Sequence, residues 1–320
     1  VNSVAIHVDQ QRNESCLGAS EAAGVLGLDK YNPPIKIWRR HRGLDVSEKE
    51  NPRLKEASEW GQILEPVIRG KYALVKRARV WVPISSYNRD GWLRCTPDGL
   101  VQDGCYPWNI GTTEFAPNGD GYGPVVAKLL QEGALGGVQC KNVSSYLEHE
   151  WRDGPPPAKE IQVRVEMAVT GLPWCDLAAL IGGNHYVQFR VERDLEIEDR
   201  ILTDLHAFWE MVKSGQEPTV DHTDAWRLHI AEKMPAIKEI GKPDLDDEVA
   251  MLDLKAMRRI RKSALESEKL ARNNLLLRMA TRGITGLRSD DTEVGTVTAY
   301  KTRGTWALRC PSHWGDDEQD

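Results

Sequence analysis

No apolar run in this 320-residue chain approaches the roughly 18 residues that a helical membrane span needs, so no membrane partner is expected. The opening Val1-Asn2-Ser3-Val4 lacks the basic-then-apolar layout of a signal peptide, which leads to the expectation of a cytoplasmic protein. The six cysteines contain no C-x-x-C pair. That scatter argues against a zinc or iron–sulfur centre and for reduced, mostly buried thiols. Positive charge is not in excess either: the net charge is −6. Nucleic-acid binding would therefore have to come from a local basic lining. What remains is an ordinary water-soluble composition, 40% hydrophobic with a mean hydropathy of −0.50. The length allows one large domain or two modest ones.

The order of elements reads as α/β. Ser20, with Glu21 behind it, is a good helix start, and that helix should stop near Gly27. A second helix is expected over Ile35–His41, and a long one over Pro52–Lys76, where Pro66 should kink or split it. Strands are expected at Arg79–Ile84, Gly91–Cys95 and Gly99–Gln102. Residues 103–136, rich in Gly, Pro and Asn, read as an insertion between strands, with a short helix near Val125–Gln131. Next come a strand over Gly137–Asn142, a helix over Ala158–Thr170 and two strands, Trp174–Ile181 and His185–Glu192. The turn Gly182-Gly183-Asn184 joins those last two as a hairpin. Asp194 should cap a helix reaching Lys213. The composition shifts near Ser214–Pro218, so residues 1–217 are expected to form the main domain. Residues 218–320 should be a mostly helical extension with a short β segment at its end. Nine basic side chains, from Lys255 to Arg282, face only Glu266 and Glu268 in that stretch.

Two short segments carry the chemistry: Thr96-Pro97-Asp98-Gly99 and Val138-Gln139-Cys140-Lys141. Asp98 at a strand end is a hard oxygen ligand for Mg²⁺, and Lys141 is a compact charge suited to a phosphate or an attacking water. Each has a plainer reading. Asp-Gly also makes turns, a lone lysine is usually on the surface, and a strand glutamine is usually just polar. Pairing, order and strand context favour the chemical reading. Glu65 lies beside the apolar stripe of its helix, where an unpaired carboxylate is costly. Gln162 and Glu166 stand at i and i+4 on one helix face, either as part of a site or as a solvated face. Trp38 and Trp151 lie near the motifs, as base-stacking platforms or as packing residues.

Taken in order, Gly18-Ala19-Ser20-Glu21, Gly61-x-x-x-Glu65-Pro66, Thr96-Pro97-Asp98-Gly99, Gln139-Cys140-Lys141 and Gln162-Val163-x-x-Glu166-Met167 resemble the lambda exonuclease / YqaJ-like viral recombinase family over roughly residues 10–215. The resemblance implies the restriction-endonuclease-like PD-(D/E)XK core, a mixed central sheet flanked by helices. It implies Mg²⁺, with Mn²⁺ able to substitute, held by Asp98, Gln139, the Cys140 carbonyl and Glu65. Lys141 would orient or activate water, Gln162 and Glu166 would support the site, and Ser20 and Arg12 would hold a 5′ phosphate. One departure stands out: the position of Gln139 is usually Glu or Asp, and glutamine brings no negative charge.

The implied activity is 5′-to-3′ digestion of one strand at the ends of linear duplex DNA, leaving 3′ tails for phage-type recombination. A trimeric ring and a single-strand annealing partner are implied with it. Gln139 keeps open a second class, a DNA-end-binding or assembly protein without catalysis; an endonuclease of the same fold is a third reading. Metal-dependent cleavage separates the first from the second, and cutting of closed circles separates the third. The basic C-terminal helix could contact phosphates, face solvent or join subunits.

Overall fold

The computed structural model describes residues 6–8, 16–44, 52–83, 86–103, 114–115, 135–234, 241–289, 295–302 and 305–310. The chain divides into two units, Val1–Met234 and Pro235–Asp320.

The first unit is built on a six-stranded mixed sheet. Its strands are β3 (Arg79–Val82), β6 (Gly99–Gln102), β7 (Glu114–Phe115), β8 (Gly136–Val143), β9 (Trp174–Ile181) and β10 (His185–Glu192), in the order β10-β9-β8-β6-β3-β7. β8 and β9 run parallel, whereas β6 is antiparallel to both β8 and β3. Strand β7 comes from within the 103–136 insertion and adds itself to the edge beside β3. The helix expected near Val125–Gln131 lies outside the described residues.

A helix covers each face. On one, α3 (Pro52–Lys76) sets Ile68 and Tyr72 against Val80, Val101, Val138, Cys140 and Ala178. On the other, α4 (Pro157–Thr170) sets Val163 and Met167 against Leu100, Leu177, Ala179 and Ile181. The period of two along β8 follows from this. Val138 and Cys140 face α3, so Gln139 and Lys141 face α4, level with Leu177 and Ala179 of β9. Gly171, at φ 79°, ends α4 in the left-handed region that glycine adopts most easily.

Helix α3 runs as one helix through Pro66, so the chain is not split there. Proline removes one helical N–H, but Gln62 and Pro66 lie on the exposed face, where water can serve the freed carbonyl. The helix expected from Ser20 to Gly27 is shorter: a 3₁₀ turn over Ala19–Glu21, then α1 (Ala22–Val25). Helix α2 (Pro34–His41) follows.

A four-stranded sheet joins β1 (Ile6–Val8), β4 (Ser86–Arg89), β5 (Leu93–Cys95) and β2 (Leu17–Gly18) in that order. Asp194 caps α5 (Leu195–Ser214) by accepting from the Glu196 and Ile197 N–H groups. Helix α6 (Asp224–Lys233) then packs on α2, burying Trp226 and His229. His229 meets Arg39 at 2.6 Å and Glu217 at 2.9 Å.

In the second unit, Asp244 caps α7 (Leu245–Thr281), accepting from Asp247 at 2.9 Å. Strands β11 (Gly286–Arg288), β12 (Thr296–Thr302) and β13 (Thr305–Arg309) form a small antiparallel sheet. Met279, Val297 and Leu308 make its core. No helix among the described residues is long and apolar enough to cross a membrane.

Candidate active site

The pairing of β6 with β8 brings the two chemical segments together. Gly99 opposes Val138, so Asp98 sits at the mouth of β6 beside Gln139 and Cys140. A Cβ on Gly99 would meet Val80 Cγ1 at 2.6 Å and Val138 Cγ1 at 2.8 Å, so the Asp-Gly step is required by close strand packing. Asp98 Oδ2 accepts the Cys140 N–H at 2.7 Å. That bond fixes the carboxylate to the backbone of β8, one residue before Lys141.

Arg69, 2% exposed, holds the same region from α3. Its Nη1 donates to Glu65 Oε1 at 2.7 Å and to the Asp98 backbone oxygen at 2.8 Å. Glu65 is thus brought toward Asp98 by an arginine that the sequence reading did not single out. The available signal was its i+4 spacing from Glu65 within a buried helical stripe.

On the α4 side, Lys141 Nζ donates to Gln162 Oε1 at 3.0 Å, and Gln162 Nε2 donates to Glu166 Oε1 at 2.9 Å. Glu166 and Gln139 are buried, at 1% and 5% exposure. Glu166 Oε2 and Gln139 Oε1 have no hydrogen-bond partner. Burial raises the Asp98 pKa to about 6; Glu65 adds to the rise, and Lys141, the Cys140 N–H and Arg69 oppose it. Burial, with Asp98 adding to it, pushes Glu166 to about 8 against the pull of Lys141 and Gln162. Lysine 159 is lowered, first by burial and then by the like charge of Lys141.

Ser20 is exposed on its 3₁₀ turn, while Arg12 lies outside the described residues. Glu21 of the same motif is structural: its carboxylate accepts the Gly18 N–H at 2.8 Å and pairs with His41 at 3.1 Å. Trp38 and Trp151 are both 3% exposed and serve packing, not base stacking. Cys16, Cys95, Cys140 and Cys175 are free and buried.

The donor set suits a hard cation. No three His, Cys, Asp or Glu side chains among the described residues gather into a metal-holding group. Mg²⁺, however, binds through one or two carboxylates and keeps several waters. A carboxyl raised by burial and a buried amide oxygen without a donor are both relieved by such an ion.

Residues 9–173 fit the YqaJ-like viral recombinase domain, and the chain belongs to that family. The uncharacterized protein YqaJ of Bacillus subtilis (strain 168) is 27% identical over 219 residues, covering 65% of this chain. The match spans 57% of that relative's length. Among solved structures, an alkaline exonuclease from Laribacter hongkongensis is similar at 19% identity and a TM-score of 0.43. That match covers 69% of this chain and 95% of the other. The same exonuclease in complex with dAMP is similar at 20% identity and a TM-score of 0.43, with the same coverage.

Proposed function

We propose that this protein is a Mg²⁺-dependent deoxyribonuclease that digests one strand of linear duplex DNA from the 5′ end, leaving 3′ single-stranded tails for recombination. The observation that carries this reading is the Asp98 carboxylate fixed to the Cys140 N–H beside Lys141, in a YqaJ-like domain. Asp98, Gln139, the Cys140 carbonyl and Glu65 would hold Mg²⁺, with Mn²⁺ as a substitute. The ion would polarise the scissile phosphate and acidify a water.

The protein's own groups do the positioning. Arg69 holds Glu65 against the start of β6, and Gln162 keeps the Lys141 ammonium at the α4 face of β8. From there Lys141 offsets negative charge at the phosphate, or orients the water. Ser20 and Arg12 would receive the 5′ phosphate. A trimeric ring around the duplex and an annealing protein for the exposed strand complete the proposal.

Linear duplex with and without 5′ phosphates, and a closed circle, are incubated with the protein and Mg²⁺. The expected result is loss of the 5′-phosphorylated strand alone, with Asp98→Ala at least about 10²-fold slower, as for other groups that stabilise transition-state charge. Cleavage of the circle would make it an endonuclease. The uncharged Gln139 favours a second reading, an end-binding protein without catalysis; DNA bound but left intact would select it.

A further inference from the structure

The strand position expected to be acidic holds Gln139, while an acid is buried on the helix that faces it. Glu166 lies four residues after Gln162 on α4, and only its Oε1 is engaged, by Gln162 Nε2 at 2.9 Å. Its Oε2 has no partner, and neither has Gln139 Oε1 on the facing strand. Both residues are more than nine-tenths buried. The chain of bonds from Glu166 through Gln162 to Lys141 places them in the same corner as the lysine. A buried oxygen without a donor is costly, and more so when charged. Here there are two, on neighbouring elements, and none of the nearby cations bonds to either.

A structural role does not explain the acid. Glutamine at position 166 would keep an oxygen for Gln162 and could never become a buried charge. A divalent cation does explain it, because one ion accepts a carboxylate oxygen and an amide oxygen together. We propose that Glu166 supplies from α4 the carboxylate that β8 lacks at Gln139, so that Asp98, Glu166 and the Gln139 amide oxygen share one divalent cation. A helix carboxylate then supplies the negative charge that the strand glutamine does not bring. The proposal rests on the nuclease reading and adds to its ligands, Asp98 and Glu65 among them, a carboxylate from the α4 side.

The test is a reciprocal exchange in the full chain. Mn²⁺ binding is followed by loss of the free-ion electron paramagnetic resonance signal, in wild type, Asp98→Ala, Glu166→Gln and the double variant Gln139→Glu/Glu166→Gln. Mg²⁺-dependent DNA cleavage is measured in parallel, and melting curves check folding. Glu166→Gln should weaken Mn²⁺ binding by at least about tenfold, since loss of even an outer-sphere partner costs that much. The double variant should restore binding to within a few-fold of wild type, together with cleavage. Wild-type affinity in a folded Glu166→Gln would overturn the proposal, as would a double variant no better than the single. A wild-type protein that cleaves DNA regardless of residue 166 refutes only this inference. One that neither binds Mn²⁺ nor cleaves refutes the nuclease reading with it.

Discussion

At the scale of single residues, the two raised carboxyls make stability depend on pH. Glu166 is shifted by burial from 4.5 to about 8, so the folded protein keeps a proton that the unfolded chain releases. The associated stability is fully present below about pH 4.5 and is lost as pH rises through about 8. Asp98 adds a smaller loss in the same direction, between 3.8 and about 6. In EDTA, the urea midpoint of the wild type should therefore fall on going from pH 5 to about pH 8.5. Glu166→Gln should flatten much of that fall; parallel curves for the two proteins would contradict this. As candidates, Gln139 with Lys141 and Gln162 with Glu166 were legible because each pair lies at a short, regular spacing on one element, and Asp98 because its Asp-Gly step opens β6. For Arg69 the sequence carried only the i+4 spacing from Glu65; its second bond, to a backbone oxygen 29 residues away, is encoded by no local pattern.

At the scale of elements, the contact between β3, β6 and β8 controls where Asp98 stands. Gly99→Ala would push a methyl group to 2.6–2.8 Å from two valine side chains. Overpacking of this kind costs about 1–3 kcal/mol. The variant should lose that much by denaturant titration and should cleave DNA more slowly than its remaining folded fraction explains. Normal stability would show that the strands can part freely. The hairpin of β9 and β10 was readable from Gly182-Gly183-Asn184 between two apolar runs, and α4 from its prolines and Gly171. Strand β4 escaped because Ser-Tyr-Asn-Arg shows no apolar alternation; all four residues are half-buried, and pairing with β5 makes the strand. Helix α3 was readable with its full bounds; it is not split at Pro66, whose side of the helix faces water.

At the scale of the whole molecule, the first unit extends through α6. Truncation after Met234 should leave a cooperatively folding unit, whereas truncation after Lys213 removes Trp226 and His229 from the core around Trp38 and Trp209. Burial of one large side chain is worth about 1.5–3 kcal/mol, so the shorter form should melt several degrees lower or fail to fold. Equal melting temperatures would show that α6 is dispensable. The long exposed α7 and the sheet beside it belong to the second unit, and their contribution is read by comparing DNA affinity of the full chain with that of the form ending at Met234. The central claim, a metal-dependent cleaving centre at Asp98 and Lys141, is tested most directly by one time course. A duplex carrying 5′ phosphates is incubated with wild type and Asp98→Ala, first in EDTA and then after addition of excess Mg²⁺. The account predicts no product in EDTA, nucleotide release from the 5′ ends on adding Mg²⁺, and none above background in the variant. Release in EDTA, or equal release by Asp98→Ala, would contradict it.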